Sequence, residues 1–524
     1  MTATLDSRQD AARTGRRRAP LPALAASVAV AGLASVPLAF IAIQAFDSGP
    51  SEVVRLLDRP LVATLLWNTV RLTAAVTIIC AVIGTAAAFC VECCTVRGRG
   101  AWAVLIVLPL AIPEFVVSYG WVSIAPSLHG FNGAVLVMVA SRYPLVYLPV
   151  AAALRGLDPT SEDTARSLGL GPWATFWRVT LPQLRPGLLG GCLLVSLYML
   201  AEYGAFALLR FTTFTTAIYT EYKLGFNLPA ASALAMVLVA LSLLLLAGEA
   251  RATGRARYAR VGSGAARVRR LHPLGRMTFP VALGGIALVA LCLGVPIGSL
   301  AYWLLRGSST TLPSASIGGA AVHTLAYSLA AAALATALAL PVAILAVRHR
   351  SRLSIMLERS TYLARGIPGV VVGLAFVYFA IRYLPGLYQS GPLLVVAYAL
   401  VFLPVAVVAV RSALQQISPE LEDVAHSLGH RSWAVFRKVT FPLLRPGLAA
   451  GFALVFLSSV TELTATLLLR PTGVETLSTQ FWVYTSALAY GAAAPYAAML
   501  VVLSAIPTVI LTRRINAFSG MSAT

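Results

Sequence analysis

Twelve long apolar stretches recur along this chain, and each is long enough to cross a bilayer as a helix. They lie at about 21–46, 62–91, 101–124, 133–154, 186–210 and 230–249, then at about 279–305, 319–347, 362–384, 392–413, 446–469 and 492–512. A hydrocarbon core of roughly 30 Å takes about 20 apolar residues in a helix. Lipid offers no partner for backbone N–H and C=O groups, so only helices or closed barrels span it. Barrel strands are short and alternating, whereas these runs are continuous. The 524 residues hold about twelve helices with loops, a linker and tails. Only 11% of residues are charged and 58% are hydrophobic, against roughly 25% charged in soluble domains. A soluble enzyme is excluded, and so is a disordered chain.

The net charge of +21 comes from 40 basic and 19 acidic residues, and only Lys223 and Lys438 are lysines. On a soluble domain this balance points to nucleic acid. Here the arginines gather at the ends of apolar runs, so the expected partner is the lipid bilayer and no nucleic acid. Arg8, Arg13, Arg16, Arg17 and Arg18 precede the first run, which exceeds the roughly 7–15-residue core of a signal peptide. It reads as a retained first span with a cytoplasmic N-terminus. Residues 251–277 carry eight arginines and no acid, a basic linker returned to the cytoplasm by six spans. Arg97 and Arg99, then Arg348, Arg350 and Arg352, and finally Arg513 and Arg514 fall on the same side, as the positive-inside rule requires. The expected division is a basic tail 1–20, a first six-helix half 21–250 (core 64–249), the linker 251–277, a second half 278–514 (core 319–512) and a tail 515–524. Both termini are expected in the cytoplasm of a prokaryotic plasma membrane protein.

The two halves repeat. Pro159–Gly191 and Pro419–Gly451 align without gaps at an offset of 260, with 19 of 33 positions identical. Upstream, Asn68-Thr69-Val70 echoes His323-Thr324-Leu325, and Ile112-Pro113 echoes Ile367-Pro368, at an offset of 255. The fold class expected is therefore all-α, two parallel six-helix repeats related by an axis along the membrane normal.

The repeated segment lies between the fourth and fifth spans on the cytoplasmic side. Ser418 is placed to cap a helix, with Pro419 at its first position and Glu420 and Glu422 in its first turn; Asp158 and Pro159 take those roles in the first copy. Gly169 and Gly429 suit a left-handed helix end. A second short helix follows around 173–179 and 433–439, and Pro182 and Pro442 are expected to stop it. Leu168, Trp173 and Phe176, with Leu428, Trp433 and Phe436, supply an apolar face shaped for a partner's groove.

These residues carry a resemblance. Glu162-Asp163, Ala165, Gly169 and Pro182, and Glu422-Asp423, Ala425, Gly429 and Pro442, resemble the cytoplasmic signature loop of type I binding-protein-dependent ABC importer permeases. That loop begins Glu-Ala-Ala, so Asp163 and Asp423 depart from it mildly. The resemblance implies coupling helices docked on two copies of a cytoplasmic ATPase that bind ATP and magnesium, and an extracytoplasmic substrate-binding protein that delivers cargo. This chain has no G-x-x-x-x-G-K-[ST] loop, so it is expected to bind no cofactor itself. Fusion of two halves in one chain is similar to the ferric-iron and thiamine permeases. The stretches Phe211–Tyr219 and Glu462–Pro471 resemble the ferric-iron type; thiamine, polyamine and phosphonate remain as alternatives.

Carboxylates inside spans cost about 2.5–3.5 kcal/mol on insertion scales and face protein or water. Glu202 and Glu462 lie 260 apart in the fifth helix of each half, and Glu114 follows Pro113 in the third span. They read either as an acidic lining suited to a cation or as interhelical hydrogen-bonding groups. Tyr119, Tyr198 and Tyr203 could add oxygens for a hard cation or could simply pack. Cys90 and Cys93 form a C-x-x-C with no second pair and no neighbouring His in sequence, so the six cysteines read as small apolar helix residues. His426 and His430 lie on the repeated loop and read as solvated or partner-facing. A major-facilitator transporter also has two six-helix halves, but its charged loop lies between the second and third spans, where this chain has only 93–100. No H-E-x-x-H or G-x-S-x-G suggests a membrane enzyme.

Overall fold

The computed structural model describes residues 20–157, 160–253, 271–307, 314–349, 351–363 and 366–518. Most of the basic tail, the body of the linker, the end of the C-terminal tail, and Asp158 with Pro159 lie outside the described residues.

The first half runs α1 (Leu21–Ser48), α2 (Pro60–Cys93), α3 (Arg99–Ala111), α4 (Glu114–Ile124), α5 (Gly130–Gly156), α6 (Thr160–Ser167), α7 (Trp173–Ala201), α8 (Gly204–Leu208), α9 (Phe214–Lys223) and α10 (Leu228–Thr253). The second half repeats the order: α11 (Gly275–Arg306), α12 (Ser316–Arg348), α13 (Arg352–Leu363), α14 (Gly369–Tyr383), α15 (Gly391–Gln416), α16 (Pro419–Ser427), α17 (Ser432–Val460), α18 (Thr464–Leu469), α19 (Leu477–Ser486) and α20 (Tyr490–Phe518). Among the described residues, ten helices are long and apolar enough to span, and α3 with α4, bent by 89° at their break, brings the number to eleven where the pair is counted as one span.

The third crossing of each half therefore differs from the simple span expected. In the first half Pro109 and Pro113 interrupt it, and Ile112 is extended at φ −96°, ψ 120°. A proline disfavours helical geometry in the residue before it and supplies no N–H. In the second half Pro368 stands just before α14, extended at φ −60°, ψ 146°. The echo between Ile112-Pro113 and Ile367-Pro368 marks the break itself.

Two large cores form among the described residues, and each is built from both halves. Leu72, Phe115, Val146 and Val195 of the first half pack with Cys292, Leu293 and Leu300 of α11 and with Ala493 and Ala497 of α20. Ala335, Val371, Leu403 and Val455 of the second half pack with Val30, Ala34 and Phe40 of α1 and with Leu234 and Leu238 of α10. The first helix of each half thus packs against the core helices of the other, while the last helix lies mainly against its own half. At one exchange contact the backbones nearly touch, because a Cβ on Gly120 would stand 2.8 Å from the Pro296 Cα. Ser123 and Ser299 bond across the same contact at 2.8 Å. The outward faces stay apolar: Trp67, Val70, Ile78 and Val82 on α2, and Phe279, Leu283, Ile286 and Leu305 on α11, are all exposed. At helical spacing this is a lipid-facing stripe, where acyl chains replace a protein core.

Candidate translocation site and coupling loops

The repeated loops fold as their residues suggest. The Glu420 N–H donates to Ser418 Oγ at 3.3 Å, capping α16, and Pro419 fills its first position. Both helices end at a glycine in the left-handed region, Gly169 at φ 86° and Gly429 at φ 83°. The Leu170 N–H then reaches the Ala165 carbonyl at 3.1 Å, and the His430 N–H reaches the Ala425 carbonyl at 3.2 Å. This is the bonding of a glycine-terminated helix. Ala165 and Ala425 are buried beneath it, where a larger side chain would lift the helix away.

The glutamates of the motif point inward. Glu162 accepts from the Thr180 hydroxyl at 2.8 Å. Glu422 accepts from the Thr440 hydroxyl at 3.0 Å and pairs with Arg348 at 3.1 Å. Each carboxylate therefore ties its loop to the root of the next span, and in the second half to the end of α12 as well. The surface facing away is apolar, with Leu168 (78% exposed), Trp173 (74%), Leu428 (75%) and Trp433 (71%). Phe176 turns back instead, its ring 5.4 Å from that of Phe89.

Pro182 and Pro442 do not stop a helix. The chain runs continuously from Trp173 to Ala201 and from Ser432 to Val460. A wider turn absorbs each proline: the Leu181 N–H bonds the Phe176 carbonyl, and the Phe441 N–H bonds the Phe436 carbonyl, five residues back. Such π-type turns shift the hydrogen-bond ladder by one residue, which accommodates a residue without an N–H.

The end of the linker is fastened beside the first loop. The His272 N–H donates to the Cys93 carbonyl at 2.7 Å, the Thr95 N–H donates to the His272 carbonyl at 3.0 Å, and the Arg166 guanidinium lies 3.2 Å from His272 Nε2. The sequence distance between His272 and the C-x-x-C hides this neighbourhood. Even so, no group of three His, Cys, Asp or Glu side chains among the described residues is placed to hold a metal.

The second feature lies deep in the membrane. Helix α7 ends at Ala201 and the chain turns extended at Glu202, whose Oε1 accepts from the Ala205 N–H at 2.7 Å. The same arrangement recurs at Glu462, whose Oε1 accepts from the Ala465 N–H at 2.9 Å. Each carboxylate thus caps the short helix after it, α8 or α18, where N–H groups point outward with no helical partner. The Thr215 hydroxyl bonds the Glu202 carbonyl. From there α9 climbs ten residues before the chain turns into α10, a rise of about 15 Å. Glu202 therefore stands near the middle of a core about 30 Å thick.

The breaks converge. A Cβ on Gly204 would meet Leu463 Cδ2 at 2.8 Å and Phe115 Cβ at 3.0 Å. A Cβ on Gly369 would stand 3.2 Å from Glu462 Oε1. Glu114 opens α4 and forms an ion pair with Arg142 of α5. Arg142 lies 4.1 Å from the centre of the Tyr198 ring. The structure thus brings Glu202 and Glu462 to one meeting point of the halves, and sets Glu114 beside Arg142. Tyr119 is committed to packing, its hydroxyl donating to the Tyr490 carbonyl at 2.8 Å. Tyr203 stacks between the halves, 4.6 Å from the Tyr219 ring and 5.4 Å from Trp482.

Sequence reasoning missed two sets of residues. Arg142 is a single charge inside an apolar run, and an ionisable group at such a position marks a functional site, but the run as a whole masks it. Arg210 and Arg470 are the other set, 260 apart in the sequence and closing α8 and α18. Arg210 lines a cavity of about 600 Å³ with Tyr203, Thr216 and Glu221 at the end opposite the coupling loops.

Known proteins share this plan. The model of the family described as binding-protein-dependent transport system inner membrane component matches residues 95–250 and 338–516. An Fe(3+)-transport system permease protein, FbpB 2 of Haemophilus influenzae, is 39% identical over 91% of this chain and 95% of the relative. A ferric transport system permease protein of Actinobacillus pleuropneumoniae is 25% identical over 87% of this chain and 71% of the relative. A spermidine/putrescine transport system permease protein of Haemophilus influenzae, PotB, is 28% identical over 36% of this chain and 74% of the relative. With apolar helices in two matching halves and a duplicated loop of the right form, the chain is a multi-pass inner membrane protein and belongs to the family of binding-protein-dependent transport system inner membrane components.

Proposed function

We propose that this chain is the membrane-spanning permease of an ATP-driven importer of ferric iron. The observation that carries the reading is its 39% identity, over nearly the whole of both chains, to a permease named for Fe(3+) transport. The paired Glu202 and Glu462 at the central break support a cationic cargo. The chain breaks no bonds itself. Two copies of a cytoplasmic ATPase dock on the exposed Leu168–Trp173 and Leu428–Trp433 faces and supply ATP hydrolysis with magnesium. An extracytoplasmic binding protein delivers cargo to the opposite end. Both termini and the basic linker face the cytoplasm, in keeping with their arginines.

The mechanism follows from the joints. ATPase closure draws the two loops together. Glu162–Thr180 and Glu422–Thr440–Arg348 pass that movement to α7 and α17. These helices end at the two central glutamates, so a tilt of their roots moves the cargo site. Residues Glu162, Ala165, Gly169, Pro182, Glu422, Ala425, Gly429 and Pro442 make up the coupling set, and Glu114, Glu202 and Glu462 the pathway set. A polyamine reading rests on the partial likeness to the spermidine/putrescine permease. Radiolabelled uptake tests both. Cells lacking this gene are expected to lose ferric iron uptake at low external iron and to keep polyamine uptake; the opposite result would replace iron by polyamine.

A further inference from the structure

We propose that Arg142 is a built-in stand-in for the cargo: its guanidinium rests against the pathway carboxylates when the site is empty, and the transported cation displaces it. The inference rests on the reading of the chain as a cation importer.

Arg142 is the thirteenth residue of the 27-residue crossing α5 and only 9% exposed, so it lies near the membrane centre. A permanent charge there is expensive and almost always faces protein or a water-filled path. Its ion-pair partner is Glu114, the first residue after the break in the third crossing. Glu202 is within electrostatic reach of the same guanidinium. Two carboxylates, Glu114 and Glu202, thus face one fixed cation. Among the described residues, no Lys or Arg forms an ion pair with Glu462.

The two halves differ at this point. Gly369 stands where Glu114 would recur, at the offset of 255. Residues 398–407, in the matching part of α15, carry no charge. Glu462 leans over Gly369 instead. A pair needed only to hold helices together would be expected in both copies. The ion pair of the coupling loop shows what a saturated one looks like: Arg348 bonds both Glu422 and the Ile417 carbonyl, while Thr440 bonds the same Glu422 oxygen. By contrast, Arg142 Nε is buried with no hydrogen-bond partner among the described residues.

The chemistry suits exchange. A guanidinium stays protonated and is weakly hydrated, so it neutralises carboxylates in a dry site without a bound ion. The Tyr198 face, 4.1 Å away, holds the guanidinium by cation–π attraction once its carboxylates are taken. A monovalent ion gains less from the carboxylates than a trivalent one, so Arg142 selects for high charge and blocks leakage.

The test uses the intact permease purified with its ATPase, and gallium(III) citrate as a redox-inert trivalent probe. Wild type is expected to retain little gallium. Arg142→Gln should retain at least about tenfold more, because it leaves buried carboxylates uncompensated. Arg142→Lys should behave as wild type. Adding Glu114→Gln and Glu202→Gln to Arg142→Gln should abolish the gain. If Arg142→Gln does not insert, Arg142→Gln with Glu114→Gln removes both charges of the pair, and its gallium retention should still exceed that of wild type. No gain for gallium or spermidine in either variant, or a gain that survives loss of the carboxylates, would overturn the proposal. Spermidine binding is measured in parallel. A gain for spermidine alone would keep the role of Arg142 and reject iron, whereas no gain for either cation would reject the role itself.

Discussion

At the residue scale, the buried carboxylates do two jobs that substitution separates. Glu422 joins Thr440 and Arg348, with side chains 18% and 13% exposed at the ion pair. Breaking a buried pair costs about 3–5 kcal/mol, and partial exposure places this one near the lower end. Glu422→Lys also sets two cations side by side. It is expected to leave insertion intact, to abolish uptake, and to leave the ATPase unresponsive to loaded binding protein; normal uptake would remove Glu422 from the coupling path. Glu202 and Glu462 cap α8 and α18, a contribution of about 1 kcal/mol each. Glu202→Ala with Glu462→Ala should lower transport by at least about tenfold while ATP hydrolysis continues, measured side by side in proteoliposomes. Unchanged transport would leave them as caps alone. Both glutamates were legible in the sequence because the repeat placed them 260 apart. Arg142 was not, because it has no counterpart in the second half and one charge in an apolar run does not alter the run's character.

At the element scale, each coupling helix depends on one backbone conformation. Gly169 holds φ 86°, and proline is fixed near −65°. Gly169→Pro should release the Leu170-to-Ala165 hydrogen bond and swing the Leu168–Trp173 face out of place. Expected outcomes are normal protein level and a loss of ATPase co-purification; retained co-purification with normal uptake would contradict the docking role. The cap, the acidic first turn and the terminating glycine were all readable, since each is a local rule about adjacent residues. The path through Pro182 and Pro442 was not. A proline ordinarily ends a helix, and only the widened turn at 176–180 and 436–440 lets the span pass through it. The breaks at Pro113 and Pro368 show the same ambiguity from the other side: there proline does interrupt, and the apolar run continues regardless.

At the scale of the whole molecule, the halves are interlocked. Hydropathy gives the order of crossings but carries no information about which half a crossing packs against, so the exchange of the first helices was hidden. Its consequence is testable. Residues 1–260 expressed alone would leave Val30, Ala34 and Phe40 without the second-half core that buries them. This fragment should be degraded alone and stabilised by co-expression with 261–524, followed by protein level and co-purification. A stable fragment that does not bind the other would contradict the exchange.

The interlocking also gives the two loops one shared output, the meeting point of Glu202, Glu462 and the α4 and α14 breaks. In the proposed function, ATP-driven movement of the loops carries ferric iron through that point. Uptake of radiolabelled ferric iron into cells starved of iron tests it most directly, comparing the deleted gene, the restored gene and the gene restored with Glu422→Lys. Loss on deletion, recovery with the intact gene and no recovery with the variant are expected. Full iron uptake in the deletion strain, with every other iron route removed, would contradict it.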